Sequence, residues 1–104
     1  MRPGPKYGNR KTVVDGITFD SAKEARRWGE LQLMVRAGYI SDLERQVRFP
    51  LDVNGKPVCH YVADFTYHRA GQKVVEDAKG FRTPEYRLKA KLMRAVHDIQ
   101  IEEV

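Results

Sequence analysis

The sequence predicts an α/β (α+β) domain in which a helix, a three-stranded antiparallel meander, a second helix and a short strand follow one another. Three observations carry that expectation. Two segments show helical apolar spacing with start and stop residues, three β-rich runs lie between them, and short turn signals join those runs. At 104 residues the chain has the length of one domain with a modest core. Charged residues make up 32% and hydrophobic ones 41%, the balance of a folded globular protein. No apolar run approaches the ~18 residues of a membrane span, and no signal-peptide core opens the chain. Cys59 is the only cysteine, which excludes an intrachain disulfide and a Cys-based zinc site. A cytoplasmic location is expected.

Residues 1–11 combine Pro3, Gly4, Pro5 and Gly8 with Arg2, Lys6, Arg10 and Lys11, which reads as a flexible basic arm before a domain spanning 12–104. It is either a solvated tail or a segment that tracks a polyanion. Asp15-Gly16 between Val13-Val14 and Ile17-Thr18-Phe19 signals a small hairpin. The first helix runs from about Ser21 to Ala37, with Gly38 as its left-handed stop. Its apolar stripe is Trp28, Leu31 and Val35, and Glu24 extends that stripe toward the N-terminus. Two readings of Glu24 stand. It closes a capping box on the Ser21 amide, or it faces an acidic site as a ligand.

Leu43 to Val53 reads as a strand whose distal half Pro50 restricts to an edge or a bulge. Asn54-Gly55 turns it into Val58–Tyr67, and a pairing sum of 109 places Gln46 beside Ala63. A second turn at Ala70-Gly71 leads into Lys73–Asp77. A pairing sum of 141 there sets Asp64 opposite Asp77, while a one-residue slip would set it against Glu76 or Ala78. The second helix opens at Thr83 with Pro84 at its first position. Its expected core stripe is Leu88, Leu92, Ala95 and Ile99, with Tyr86, Lys89 and Lys91 off it. Ile99-Gln-Ile101 alternates as a last strand.

Like charges directly opposite one another, roughly 4.5–5.5 Å apart, destabilise a sheet. A cation between Asp64 and Asp77 would turn that penalty into binding, and Lys79, two residues on, shares their face. The alternative is an ordinary solvated polar face. The formal charge of +5 suits a polyanionic partner such as nucleic acid. His60, His68 and His97 lack the spacing of a metal-binding set.

Phe19-Asp-Ser-x-x-Glu24-Ala, Gly38-x-Ile40-x-x-Leu43-x-x-Gln46, Ala63-Asp64-Phe65, Val75-Glu-Asp77-x-Lys79-Gly80 and Tyr86-x-x-Lys89-x-Lys91 resemble a family of small phage and prophage proteins placed in the PD-(D/E)XK nuclease superfamily. The resemblance spans about Lys11 to Val104. It implies a restriction-endonuclease-like core with a central mixed sheet. Asp64 and Asp77 match the motif acids, Lys79 the motif lysine and Glu24 the glutamate of the first helix. Ala63 stands where the motif has proline, a departure that does not touch the chemistry. The implied activity is a Mg²⁺-dependent endodeoxyribonuclease, with Mn²⁺ as a substitute. Asp64, Asp77 and the Ala78 carbonyl would hold the metal, Glu24 a water beside it, and Lys79 would act on the attacking water or the phosphate. Gln46, Tyr86, Lys89, Lys91, Arg10 and Lys11 are the expected nucleic-acid contacts. A chain this small favours a structure-selective enzyme on branched recombination or replication intermediates, working as a homodimer. The rivals are a catalytically silent DNA-binding module, a structural phage protein, and a nuclease for RNA or nicked DNA.

Overall fold

The turns at Asp15–Gly16, Asn54–Gly55 and Ala70–Gly71 each place both residues at positive φ, the geometry of the tightest hairpin loops. They organise a computed structural model that describes residues 11–78 and 82–104. Residues 1–10 of the expected basic arm, Arg10 among them, and the expected catalytic Lys79 lie outside the described residues.

Among these, β1 (Thr12–Val14) and β2 (Ile17–Phe19) form a small hairpin of their own. Helix α1 (Ala22–Arg36) follows, then the meander β3 (Ser41–Val53), β4 (Lys56–Arg69) and β5 (Gln72–Asp77). Helix α2 (Pro84–His97) leads to β6 (Glu102–Glu103). The four-stranded sheet has the order β3-β4-β5-β6 and is mixed, because β6 pairs parallel with β5. Among the described residues no helix is long and apolar enough to cross a membrane.

Adjacent residues of β5 show how the helices sit. Val74 joins a cluster with Leu31 of α1, Phe65 and Tyr67, while Val75 joins one with Tyr86 and Met93 of α2, Tyr61 and Ala63. Neighbours on a strand point to opposite faces, so the sheet lies between the two helices. Trp28 belongs to this packing, its ring stacked 5.9 Å from that of Phe65. One detail breaks simple alternation. Tyr61 and Ala63 serve the α2 side, whereas Phe65 and Tyr67, of the same parity, serve the α1 side. The change falls beside Gln46 of β3, which has φ 56°.

Four expectations need correcting. The β3–β4 register shifts between Leu51 and Asp52, next to Pro50, and beyond it Arg45 faces Phe65 and Val47 faces Ala63. The bulge therefore brings Gln46 opposite Asp64, not Ala63. In α2 the buried residues are Tyr86 and Met93, with Ala90 half-buried beside them; of the expected stripe Leu92 and Ile99 do pack against this core, while Leu88 is 58% exposed and Ala95 is exposed. Both candidate stripes share helical spacing, and tertiary partners choose: Tyr86 finds the ring of Tyr61 and the carboxylate of Glu103. In α1, Val35 is exposed and Met34 packs in its place. The last strand is Glu102–Glu103, not Ile99–Ile101. Asp98 is in the left-handed conformation and Ile99 N–H donates to the Met93 carbonyl, so those residues close the helix.

Candidate functional site

The β4–β5 hairpin runs Phe65↔Glu76 through Arg69↔Gln72, so its register brings Asp64 to Asp77. Asp64 lies where the paired ladder ends, and its Oδ2 accepts the Ala78 N–H at 2.9 Å. That bond fixes the Asp64 carboxylate and turns the Ala78 peptide toward it. Asp77 is fully buried and its Oδ2 accepts the Tyr61 hydroxyl. Burial, then the charge of Asp77 and the hydrogen bond to it, push the Tyr61 phenol well above its ordinary range. Tyr61 is therefore a proton donor to Asp77 at any working pH. A second layer lies behind it. The Tyr86 ring is 6.4 Å from that of Tyr61, and its hydroxyl donates to Glu103 Oε2 at 2.9 Å. Glu103 is in turn the β6 neighbour of Asp77 and pairs with Arg82 at 3.2 Å.

Glu24 comes to this region from the first turn of α1 and is 3% exposed. Ser21 caps the helix by accepting the Glu24 N–H at 3.1 Å. The return bond of the cap goes to Asp20 N–H at 3.2 Å, one residue earlier than the sequence suggested. The second oxygen of Glu24 accepts Gln46 Nε2 at 2.9 Å. Burial above all, and next the charge of Asp64, raise the Glu24 carboxyl above the ordinary glutamate range. A left-handed φ at a residue such as Gln46 costs about 1–3 kcal/mol, and such residues concentrate at functional sites. Here it accompanies an amide placed on Glu24.

Glu76 takes the opposite face, as adjacency to Asp77 requires. It is fully buried, and Arg27 grips it with two bonds of 2.7 and 2.9 Å while Tyr67 donates at 2.7 Å. Among the described residues no three His, Cys, Asp or Glu side chains gather closely enough to ligate one ion together. Asp64 and Asp77 share a register, and the charge of Asp64 reaches Glu24.

The expected nucleic-acid contacts scatter. Tyr86 is buried to 5% exposure, held by Tyr61 and Glu103. Lys89 is bound to Glu85 at 2.8 Å one turn earlier, and Lys11 to Asp20 at 3.3 Å. Lys91 is exposed. Gln46 points at Glu24. Sequence reading missed Tyr61 and Arg27. Strand parity puts Tyr61 on the face away from Asp64, and only the change beside Gln46 brings it to Asp77. Arg27 could have been found as the one basic residue a turn below Leu31, on the side facing β5.

The family model described as "Protein of unknown function (DUF1064)" matches residues 4–102, and the chain belongs to that family. No curated protein and no solved structure matches it.

Proposed function

We propose that this protein is a metal-dependent endodeoxyribonuclease built on a PD-(D/E)XK, restriction-endonuclease-like core. The observation that supports it best is the grouping of acids. Asp64 and Asp77 meet in register, and Glu24 lies near enough for the charge of Asp64 to raise its pKa. Carboxylate oxygens with a neighbouring peptide carbonyl are the donor chemistry of Mg²⁺ or Mn²⁺. Asp64, Asp77 and the Ala78 carbonyl would hold the ion, and the accumulated negative charge fits it. Such an ion supplies positive charge to the scissile phosphate.

The chain's own groups do the rest. Tyr61 fixes the orientation of Asp77, and the Ala78 amide fixes that of Asp64. Gln46 and the Asp20 amide aim Glu24, whose raised pKa suits holding a water and taking its proton. Lys79 steadies the charge that develops on the phosphate. A homodimer acting on branched DNA is the form of this activity that the sequence resemblance implies.

The test is a panel of labelled linear, nicked, flapped, three-way and four-way DNAs with Mg²⁺, Mn²⁺, Ca²⁺ or EDTA. Cleavage should need Mg²⁺ or Mn²⁺. Lys79→Ala should bind DNA within a few fold of wild type yet cut roughly 10²-fold more slowly. Cleavage by Lys79→Ala at the wild-type rate sinks the mechanism. One observation favours a second reading, a DNA-binding module without catalysis: the acids do not form a three-member cluster among the described residues. Metal-independent binding with no cleavage of any substrate would select it.

A further inference from the structure

The cations of α2 are not distributed as the sequence implied. Lys89 is consumed by Glu85, and the exposed charge collects on the other flank of the helix. There Arg82, Arg87, Lys91 and Arg94, with Ala90 and Gln100, line one open cleft of about 320 Å³. Arg82 pairs with Glu103 at 3.2 Å, and Arg94 stands 4.0 Å from Asp98 on the surface. Arg87 and Lys91 make no ion pair among the described residues. Arg87, Lys91 and Arg94 are spaced i, i+4, i+7, so they stack along one face of the helix.

We propose that this cleft is a docking surface for the phosphate backbone of duplex DNA, distinct from the acidic site between β4 and β5. The spacing is one reason. At 1.5 Å per residue, the three side chains cover about 10 Å of helix. Successive phosphates of one DNA strand are about 3.4 Å apart along the duplex axis and also wind around it, so a straight row of that length meets about two of them. Chemistry is another reason. Guanidinium forks bind phosphate oxygens bidentately, and cations left without acidic partners lose no internal ion pair on binding. The cleft also adjoins the site: Arg82 joins Glu103, the strand neighbour of Asp77. The basic cleft and the paired aspartates are thus linked through one ion pair. The inference deepens the nuclease reading by naming the surface that carries the substrate, and it rests on that reading only for the identity of the polyanion.

The experiment compares Arg87→Ala/Lys91→Ala with Arg26→Ala/Arg36→Ala, which removes the same charge from exposed positions of α1. Binding to a labelled DNA duplex is measured from low to moderate salt in the presence of EDTA, so that no cleavage enters. The α2 double variant should weaken binding at least tenfold at moderate salt, and the slope of log affinity against log salt should fall by about 2, near 0.9 per phosphate lost. The α1 double variant should change both far less. Equal losses in the two variants would show that only net charge matters and would overturn the proposal. So would an unchanged slope in the α2 variant, or poly-glutamate competing as well as DNA for wild type and not for that variant. If the slope falls as stated but the wild type cuts no DNA with any metal, the surface stands and the nuclease reading fails. If the wild type cuts and the slope is unmoved, the reverse holds.

Discussion

Glu76 and Glu24 are both glutamates withdrawn from solvent, 0% and 3% exposed, and they are satisfied in opposite ways. Glu76 meets a cation. Arg27 binds it through two bonds and Tyr67 adds a third, so the charge is neutralised where it is buried. Glu24 is hydrogen-bonded only by neutral donors, the Gln46 amide and the Asp20 N–H, and the like charge of Asp64 outweighs the weaker pull of Arg45. The first arrangement ties α1 to β5 and leaves nothing for chemistry. The second keeps a carboxylate in an environment that resists its ionisation, which is how functional sites tune acids and bases. Burial alone does not mark a buried acid as a candidate for function; the charge of its partners is the sharper criterion.

The largest expected effect breaks the first arrangement. Arg27→Ala leaves Glu76 buried without its cation, a loss of about 3–5 kcal/mol in unfolding free energy by denaturant titration. Arg27→Met combined with Glu76→Gln should recover most of it, because Gln still accepts from Tyr67 and no charge is left uncompensated. A cost for Arg27→Ala below about 1 kcal/mol, the range of exposed ion pairs, would show that the pair does not hold α1 to the sheet.

Glu24→Gln should behave in the contrary way. Cleavage should fall about 10²-fold or more, while stability at neutral pH is unchanged or higher. The sign follows from the raised pKa. A carboxyl harder to ionise in the folded than in the unfolded state stabilises fully below its unfolded pKa, about 4.3 for Glu. That stabilisation is lost as pH rises through the higher folded value. Wild type should therefore lose stability relative to Glu24→Gln as pH climbs from 4 toward 8. A constant gap across that range would assign Glu24 to capping alone, and full activity in the Gln variant would remove it from catalysis.

The elements whose signals are local were legible in the sequence. Ser21, Thr83 and Pro84 start the helices where expected, and the Ala70–Gly71 turn alone determines the Asp64–Asp77 register. What failed depends on contacts distant in the chain. Two stripes of α2 have equal helical spacing, and only Tyr61 and Glu103 decide between Tyr86 and Leu88. The bulge at Leu51/Asp52 moves Gln46 by one position, and nothing in the strand pattern beyond Pro50 announces its extent. The partnership of Glu24 with Gln46 follows from that shift. The alternating Ile99-Gln-Ile101 read as a strand because alternation records burial on one side, and a chain reversing beneath a helix has that too.

The smallest effects come from two phenols that do the same local work for different carboxylates. Burial and the bond to Glu76 push the Tyr67 hydroxyl up to about 12, and Tyr61 is raised further beside Asp77, so both donate at neutral pH. Tyr67→Phe leaves Glu76 with both Arg27 bonds and should cost about 1.5–3 kcal/mol, the range of a hydrogen bond to a charged group. Any rise in melting temperature on adding Mg²⁺ or Mn²⁺ should be the same as in wild type. Tyr61→Phe should cost a similar amount without metal but also diminish that rise, because the Asp77 carboxylate loses the donor that fixes its orientation. Thermal unfolding of both variants, with and without the ion, measures the difference. Equal metal responses in the two would mean that Tyr61 positions nothing, and that its bond to Asp77 is as structural as the one Tyr67 makes on the other face.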